Sequence, residues 1–183
     1  MGERRFNLLK YVPSKILDIL NLNEDEVKIP NKSYLHVLER NFLPLDEIIE
    51  TEKRAMEIVM ELERQRGAEI VEDVSLERHY DILVKTGDEE KYIEVKGHKP
   101  FILRAELTEA EYRFAIKPEN KEKYWIYIVA NIGMNKPIIV KIHCPFDEKC
   151  SEIWVVNGDK DINITEYSKL SIKSSIRKVL SVK

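Results

Sequence analysis

Long apolar runs are absent from this sequence of 183 residues. No stretch of about 18 consecutive apolar residues occurs, so the sequence predicts no membrane-spanning helix. The first residues carry no apolar core of the kind that a secretory signal needs, and we therefore expect a cytoplasmic protein. A phosphate-binding loop of the type Gly-x-x-x-x-Gly-Lys is also lacking, which excludes ATP hydrolysis by that route.

Cysteine is scarce as well, because Cys144 and Cys150 are the only two in the chain. Two cysteines are too few for a disulfide framework. Together with His143 they could suggest a zinc site, but zinc needs four ligands at a recognisable spacing and no fourth ligand is nearby. The sequence therefore favours ordinary buried thiols at both positions.

An excess of positive charge is the third feature that the sequence lacks. The net charge is −3, which argues mildly against a dedicated, non-specific DNA-binding protein, because such proteins usually carry a basic surface. It does not exclude an enzyme that meets nucleic acid on one face. Hydrophobic residues make up 43% of the chain and charged residues 34%, so a compact, charge-rich protein with a real core is expected.

The hydrophobic pattern divides the chain into three parts. Residues 1–47 show apolar stripes at helical spacing, broken by prolines, and predict a helical extension. Residues 48–158 predict an α/β domain, and residues 159–183 a C-terminal helical element. Within the domain, a long helix to about residue 66 ends at Gly67. Strands at 70–74, 80–84 and 91–96 follow, then a helix at 108–116 capped by Thr108 and a buried strand at 124–130.

Glu94 and Lys96 lie two residues apart in the third predicted strand. Residues at this spacing project from the same face of a strand, while Ile93 and Val95 turn the other way into the core. A carboxylate beside an ammonium suits metal-assisted hydrolysis of a phosphodiester, because the carboxylate holds the cation and the lysine orients or helps to deprotonate the attacking water. Asp81 on the preceding strand can supply a second carboxylate, and oxygen ligands favour Mg²⁺ or Mn²⁺ over zinc.

The tripeptide Glu-x-Lys carries no information by itself, since it begins four times in this chain, at Glu26, Glu89, Glu94 and Glu119. Only at Glu94 does it lie in an apolar strand with an aspartate on the neighbouring strand. The simpler alternative is a surface ion pair on a half-exposed face of the sheet. Spacing alone leaves that alternative open.

Several separated blocks of the sequence resemble a known family in order and approximate spacing. These blocks, which cover about 85 residues, are Ala55-Met56-Glu57, Glu63, Gly67, Glu72-Asp73-Val74-Ser75, Tyr80-Asp81-Ile82, Tyr92 to Gly97, Leu107-Thr108 with Glu111, and Tyr124 to Val129. The resemblance is to the domain found at the C-terminus of large Swi/Snf-type helicase proteins and in NO VEIN-type proteins. That family is generally placed in the PD-(D/E)XK nuclease superfamily. The chain departs from it at His79, where glycine is frequent, and at Ala110, where asparagine is frequent.

The resemblance implies a restriction-endonuclease-like αβββαβ core, with a mixed central sheet flanked by helices. It also implies that Asp81, Glu94 and Lys96 are the site residues, and that a carboxylate of the first helix reaches the metal. We expect Glu57 in that role and Glu63 as the second choice, although either could equally belong to a solvated helix face. Glu111 could orient the lysine or a water molecule, or only cap its helix.

The function that these residues favour is Mg²⁺- or Mn²⁺-dependent cleavage of DNA phosphodiester bonds, in restriction, repair or defence. Asp81, Glu94 and Glu57 are the expected metal ligands. His98, Lys99 and Glu111 are the expected nucleic-acid contacts, although His98 could also be a solvent-exposed loop residue. DNA is the expected partner, while a homodimer and a helicase partner or parent chain are expectations from the resemblance alone. The alternative is a non-catalytic module that keeps the fold and binds nucleic acid or a protein beside a helicase.

Overall fold

The computed structural model describes residues 4–7, 13–27 and 44–165. The strands in chain order are β1 (Arg4–Asn7), β2 (Ile70–Asp73), β3 (Ile82–Thr86), β4 (Glu89–Gly97), β5 (Arg104–Leu107), β6 (Tyr124–Ala130), β7 (Ile138–His143), β8 (Glu152–Asn157) and β9 (Lys160–Asn163). The helices are α1 (Pro13–Leu20), α2 (Leu45–Gln65) and α3 (Glu109–Ala115), with a 3-10 turn at Glu24–Glu26. No helix in these ranges combines the length and the apolar character that crossing a membrane would require.

Seven strands form one mixed sheet, in the order β2-β3-β4-β6-β7-β8-β9. Strands β4 and β6 are parallel, and the other neighbouring pairs are antiparallel. A parallel pair needs a crossover connection, and here β5 and α3 provide it. The predicted α/β class with a mixed central sheet is therefore confirmed.

The two faces of the sheet are covered by different elements. Helix α2 buries four residues spaced four apart, Thr51, Ala55, Val59 and Glu63, and this spacing gives it one continuous face. That face packs on a cluster that includes Ile93, Val95 and Tyr127. The opposite face carries the larger core cluster, which combines sheet residues with Ile16 of α1, residues 105 and 107 of β5, and Ala115 of α3.

Gly97, at the end of β4, is required by the close approach of α2. A Cβ atom at this position would lie 2.8 Å from the Cβ of Ala55 and 2.9 Å from the carbonyl oxygen of Thr51. Both distances are shorter than ordinary van der Waals contact. The first half of α2 is therefore held against the end of the strand that carries Glu94 and Lys96.

Two segments differ from the sequence prediction. Residues 4–7, expected within a helical extension, form β1 and pair with β5 in a separate two-stranded sheet, which the sequence pattern did not predict. Residues 160–163, expected at the start of a helical element, form β9 at the edge of the main sheet. Pairing with a neighbouring strand outweighs local propensity in both segments. Helix α1 lies where a helix was expected, whereas the stripe at residues 34–38 and the helix pattern after residue 166 lie outside the described residues.

Candidate active site

Asp81 and Glu94 are brought together by the register of strands β3 and β4. The pair Ile82–Ile93 opens the antiparallel ladder, and Asp81 precedes it by one residue, with its N–H donating to the carbonyl oxygen of Ile93 at 2.9 Å. The Oδ2 atom of Asp81 also accepts a hydrogen bond from the N–H of Val95 at 2.7 Å. The aspartate is therefore fixed beside Glu94 by backbone groups of the neighbouring strand.

Glu94 is almost completely buried, with 2% of its surface exposed. Its Oε1 atom accepts a hydrogen bond from the Nζ of Lys96. Its Oε2 atom is buried and finds no hydrogen-bond partner among the described residues. A buried carboxylate oxygen without a partner is costly, so this atom marks a place where a proton or a cation would be favourable.

Burial is the main cause of the unusual protonation of this glutamate. It raises the pKa of Glu94 to about 8, and the neighbouring carboxylates of Asp81 and Glu111 act in the same direction. Burial also raises the pKa of Asp81, although the N–H of Val95 opposes it. The carboxylates of Asp81, Glu94 and Glu111 therefore lie close together, and in the described structure one ammonium group, that of Lys96, lies among them.

Lys96 remains a cation in this environment. Burial alone would lower its pKa, but the attraction of Glu94 and Glu111 outweighs burial, and the pKa of the ammonium group is raised. A protonated lysine can donate hydrogen bonds and stabilise negative charge, whereas it cannot accept a proton. The structure thus favours an orienting and charge-stabilising lysine over a basic one.

Tyr124 borders the same cluster from the adjacent strand β6. Its side chain is fully buried, and its hydroxyl oxygen finds no hydrogen-bond partner in the described ranges. Burial raises the pKa of this phenol well above its ordinary value, and the charge of Glu94 is the next cause. The core position predicted for Tyr124 is confirmed, while the position of its hydroxyl near Glu94 had no signal in the sequence.

Glu111 combines the two roles that the sequence left open. Its Oε2 accepts a hydrogen bond from the N–H of Thr108 at 2.7 Å, and its own N–H donates to the Thr108 Oγ1 at 3.3 Å. This is the predicted capping box at the start of α3. The carboxylate also lines the cleft and acts electrostatically on Asp81, Glu94 and Lys96. One side chain therefore caps the helix and adds negative charge to the site.

These residues lie in an open cleft of about 630 Å³ between the first half of α2 and strand β5. Seven carboxylates of the described residues line it: Glu47, Glu52, Asp73, Asp81, Glu94, Glu106 and Glu111. The cationic side chains in the same part of the chain number four: Lys53, Lys96, Lys99 and Arg104. Excess negative charge disfavours a bare polyanion in the cleft, and oxygen donors are the ligands that Mg²⁺ and Mn²⁺ prefer. The donor set at Asp81 and Glu94 therefore fits a divalent cation.

Residues 51–142, which are 92 of the 183, match the model of a protein family described as Protein NO VEIN, C-terminal. The chain belongs to this family. The matched range contains Asp81, Glu94 and Lys96 and both walls of the cleft except the first turn of α2. No curated protein and no solved structure matches the chain.

The helix carboxylates expected at the metal are not brought to the cleft of this NO VEIN C-terminal domain. Glu57 is about half exposed and pairs with Arg54 at 3.1 Å, one turn away on α2. Glu63 is 1% exposed on the face that packs on the sheet, where it binds the Nζ of Lys91 at 2.8 Å and the hydroxyl of Tyr127 at 2.7 Å. Neither glutamate lines the cleft, because Glu57 faces solvent and Glu63 packs on the sheet face opposite to the Glu94 side chain.

Two other glutamates of α2 do line the cleft, and no sequence pattern distinguished them from Glu57 and Glu63. Glu52 lies on the exposed surface of the helix, four residues before Met56, which also lines the cleft. Glu47 lies in the first turn. Which glutamate of a helix faces a site depends on how the helix is rotated about its axis, and this rotation is set by packing on the sheet.

His98 and Lys99 both line the cleft, as the sequence led us to expect of nucleic-acid contacts. The His98 ring is not solvent-exposed, however, and its Nε2 donates a hydrogen bond to the carbonyl oxygen of Arg104 at 2.7 Å. Burial lowers the pKa of His98, so the ring is held neutral. The Nζ of Lys99 lies 3.6 Å from Glu47 and 3.7 Å from Glu50, at the mouth of the cleft.

The two cysteines are not free thiols, and that prediction was wrong. Cys144 and Cys150 form a disulfide bond across the turn that follows β7. His143 does not join them, because its Nε2 contacts the carbonyl oxygen of Glu122 at 2.7 Å and its ring stacks on Trp125. The turn brings the two sulfur atoms together through backbone hydrogen bonds, such as that from Cys150 to Asp147, which no spacing rule revealed.

Proposed function

We propose that this domain is a metal-dependent nuclease of the PD-(D/E)XK type that hydrolyses DNA phosphodiester bonds. The observation that carries the proposal is the buried carboxylate of Glu94. Its Oε2 atom makes no hydrogen bond of ordinary geometry among the described residues, although the Tyr124 hydroxyl is close enough to interact with this carboxylate. Glu94 lies beside Asp81 and Lys96 in an open cleft. A sheet that only supports a fold has little reason to bury such an atom next to two further charges.

Asp81 and Glu94 would hold the cation in this proposal, with Glu52 or Glu47 as the carboxylate from α2. A divalent cation, when bound, supplies positive charge next to the scissile phosphate. Lys96 donates hydrogen bonds that orient the attacking water and stabilise the developing negative charge. The water oxygen forms a bond to phosphorus and loses a proton to solvent, and the bond from phosphorus to the leaving oxygen breaks. The leaving oxygen takes up a proton from solvent, so the products are an alcohol and a phosphate monoester.

Metal binding can be tested apart from catalysis by calorimetric titration with Mn²⁺. We expect the wild-type protein to bind Mn²⁺ and Asp81→Asn to lose roughly tenfold or more in affinity, because a charged ligand is replaced by a neutral one. Glu57→Gln is the matched control, since it also removes one carboxylate but outside the cleft, and it should bind like the wild type. Equal binding by all three proteins would contradict the assignment of Asp81.

A non-catalytic binding module is the second candidate, and the acidic lining of the cleft is the observation that favours it. Seven carboxylates against four cationic side chains suit a cationic or protein partner better than bare nucleic acid. Such a module has no need of a cation at Asp81 and Glu94. Absence of Mn²⁺ binding, together with absence of cleavage on duplex, branched and single-stranded DNA, would therefore favour this candidate over the nuclease.

A further inference from the structure

Strand β5 presents an arginine to the cleft that has no part in the proposed metal site. Ala105 and Leu107 of this strand are each 1% exposed and belong to the core. Arg104 and Glu106 alternate with them and therefore point the other way, where both line the cleft and form an ion pair with each other. The guanidinium thus lies in the wall of the cleft, with 19% of its side chain exposed.

The position of Arg104 is fixed by the end of the strand that carries Lys96. The His98 N–H donates to the carbonyl oxygen of Val129 at 2.8 Å, and the ring Nε2 donates to the carbonyl oxygen of Arg104 at 2.7 Å. Two hydrogen bonds from one residue therefore connect β4, β6 and β5 at the edge of the cleft. The backbone of Arg104 is therefore held in place, and the ion pair with Glu106 restricts its side chain before a ligand binds.

Arg104 is paired with Glu106, and its guanidinium can bind a phosphate if the phosphate replaces that carboxylate. Among the described residues that line the cleft, Arg104 carries the one guanidinium. Lys96 is engaged with Glu94, and Lys99 lies near two glutamates of α2. A guanidinium matches the geometry of a phosphate with two parallel hydrogen bonds, which an ammonium cannot do.

We propose that Arg104 forms a phosphate subsite that binds a phosphodiester group of the DNA strand next to the scissile one. This inference rests on the proposed function, because it takes the cleft to be the path of a DNA strand. Glu106 holds the guanidinium in place before the substrate arrives and competes with the phosphate for it. His98 acts as a positioning residue, because its half-buried ring holds the carbonyl oxygen of Arg104.

Binding of DNA, measured separately from cleavage, tests the subsite. Fluorescence anisotropy of end-labelled single-stranded and duplex oligonucleotides in Ca²⁺, which also prefers oxygen ligands, gives the affinity of each variant. We expect Arg104→Gln to weaken binding roughly 10- to 100-fold, the range of a charge-assisted hydrogen bond, and Arg104→Lys to recover part of the loss. Glu106→Gln should bind more tightly than the wild type, because it removes the competing carboxylate.

Arg54→Gln is the matched control, because Arg54 is also paired with a glutamate but lies outside the cleft. An exposed pair contributes little, so binding should stay within about twofold of the wild type. Equal losses in Arg104→Gln and Arg54→Gln would overturn the subsite, and so would weaker binding by Glu106→Gln. Thermal unfolding of each variant shows whether a loss of binding comes from a loss of folded protein.

Methylphosphonate linkages, which are neutral, identify the phosphate that Arg104 contacts. Each oligonucleotide carries one methylphosphonate at a different linkage. The replacement at one particular linkage should weaken binding by the wild type. The same replacement should leave the affinity of Arg104→Gln unchanged, and only at that linkage. Additive losses at every position would mean that Arg104 contacts none of these phosphates and would overturn the inference. If the wild type binds DNA through this subsite but cleaves none, the nuclease proposal is contradicted and the proposed subsite is still supported.

Discussion

Glu94→Gln should make the protein more stable than the wild type at alkaline pH. Burial raises the pKa of Glu94 to about 8 in the folded protein, whereas the ordinary value is 4.5. Between these values the folded state holds a proton that the unfolded state has released, so stability falls as the pH rises through this window. Above pH 8 the folded carboxyl is ionised too, and the loss is complete. Glutamine imitates the protonated acid and does not titrate.

The magnitude follows from the pH interval over which the two states differ. From pH 6 to about pH 8, each pH unit costs the wild type about 1.4 kcal/mol, so the total between pH 6 and pH 9 is about 3 kcal/mol. Other groups titrate over this range in both proteins and cancel when the variant is compared with the wild type. The free energy of unfolding of Glu94→Gln minus that of the wild type should therefore increase by about 3 kcal/mol from pH 6 to pH 9.

Urea unfolding in the presence of a chelator, followed by the fluorescence of Trp125 and Trp154, measures this difference. Glu57→Gln is the control, because this exposed glutamate lies outside the cleft, and its difference from the wild type should not change with pH. Addition of Mn²⁺ at pH 9 should stabilise the wild type more than Glu94→Gln, because the cation binds the ionised carboxylate of the folded state. A difference between Glu94→Gln and the wild type that is the same at pH 6 and pH 9 would refute the reasoning.

Three further substitutions separate the roles of neighbouring residues. Lys96→Met should lower the rate of DNA cleavage by roughly 100-fold or more, since it removes the group that orients water. Calorimetry should still detect Mn²⁺ binding by this variant. An unchanged rate would exclude Lys96 from the reaction. Glu63→Ala should destabilise the fold by roughly 1–3 kcal/mol in urea unfolding, because it leaves the buried hydroxyl of Tyr127 without its acceptor, and it should not alter Mn²⁺ affinity. Gly97→Ala should cost roughly 1–3 kcal/mol, since its Cβ would press against that of Ala55; no cost would mean that α2 lies further from β4.

The part of the site that the sequence predicts is the part built from local strand geometry. Glu94 and Lys96 share a face because side chains alternate along a strand, and the alternation of Ile93 and Val95 into the α2 side confirms it. The position of Asp81 can be predicted too, because a short turn at Gly87 joins β3 to β4 and sets their register. These relations involve residues no more than about 15 positions apart in the chain.

The parts that sequence reasoning missed depend on contacts between distant segments. The position of Glu57 on the exposed side of α2 is decided by which helix residues pack on the sheet, namely Ala55 and Val59. Strand β5 pairs with residues 4–7, about 100 positions away. That pairing, the burial of Ala105 and Leu107 and the hydrogen bond from His98 together place Arg104 in the cleft. The alternation in Arg-Ala-Glu-Leu at 104–107 was a usable signal for a strand, although it gave no indication of the partner.

Cleavage of DNA by the wild type and by Glu94→Ala and Lys96→Ala, in Mg²⁺ or Mn²⁺, tests the central claim most directly. The substrates are plasmid, linear duplex, branched and single-stranded DNA. Arg54→Gln, a substitution outside the cleft, shows whether the preparation of a variant protein by itself changes the cleavage rate. We predict that the wild type and Arg54→Gln cleave at least one of these substrates at similar rates and that both alanine variants have lost the activity. Cleavage that persists in the alanine variants, or a wild type that binds Mn²⁺ and cleaves none of these substrates, would contradict the assignment of a nuclease to this cleft.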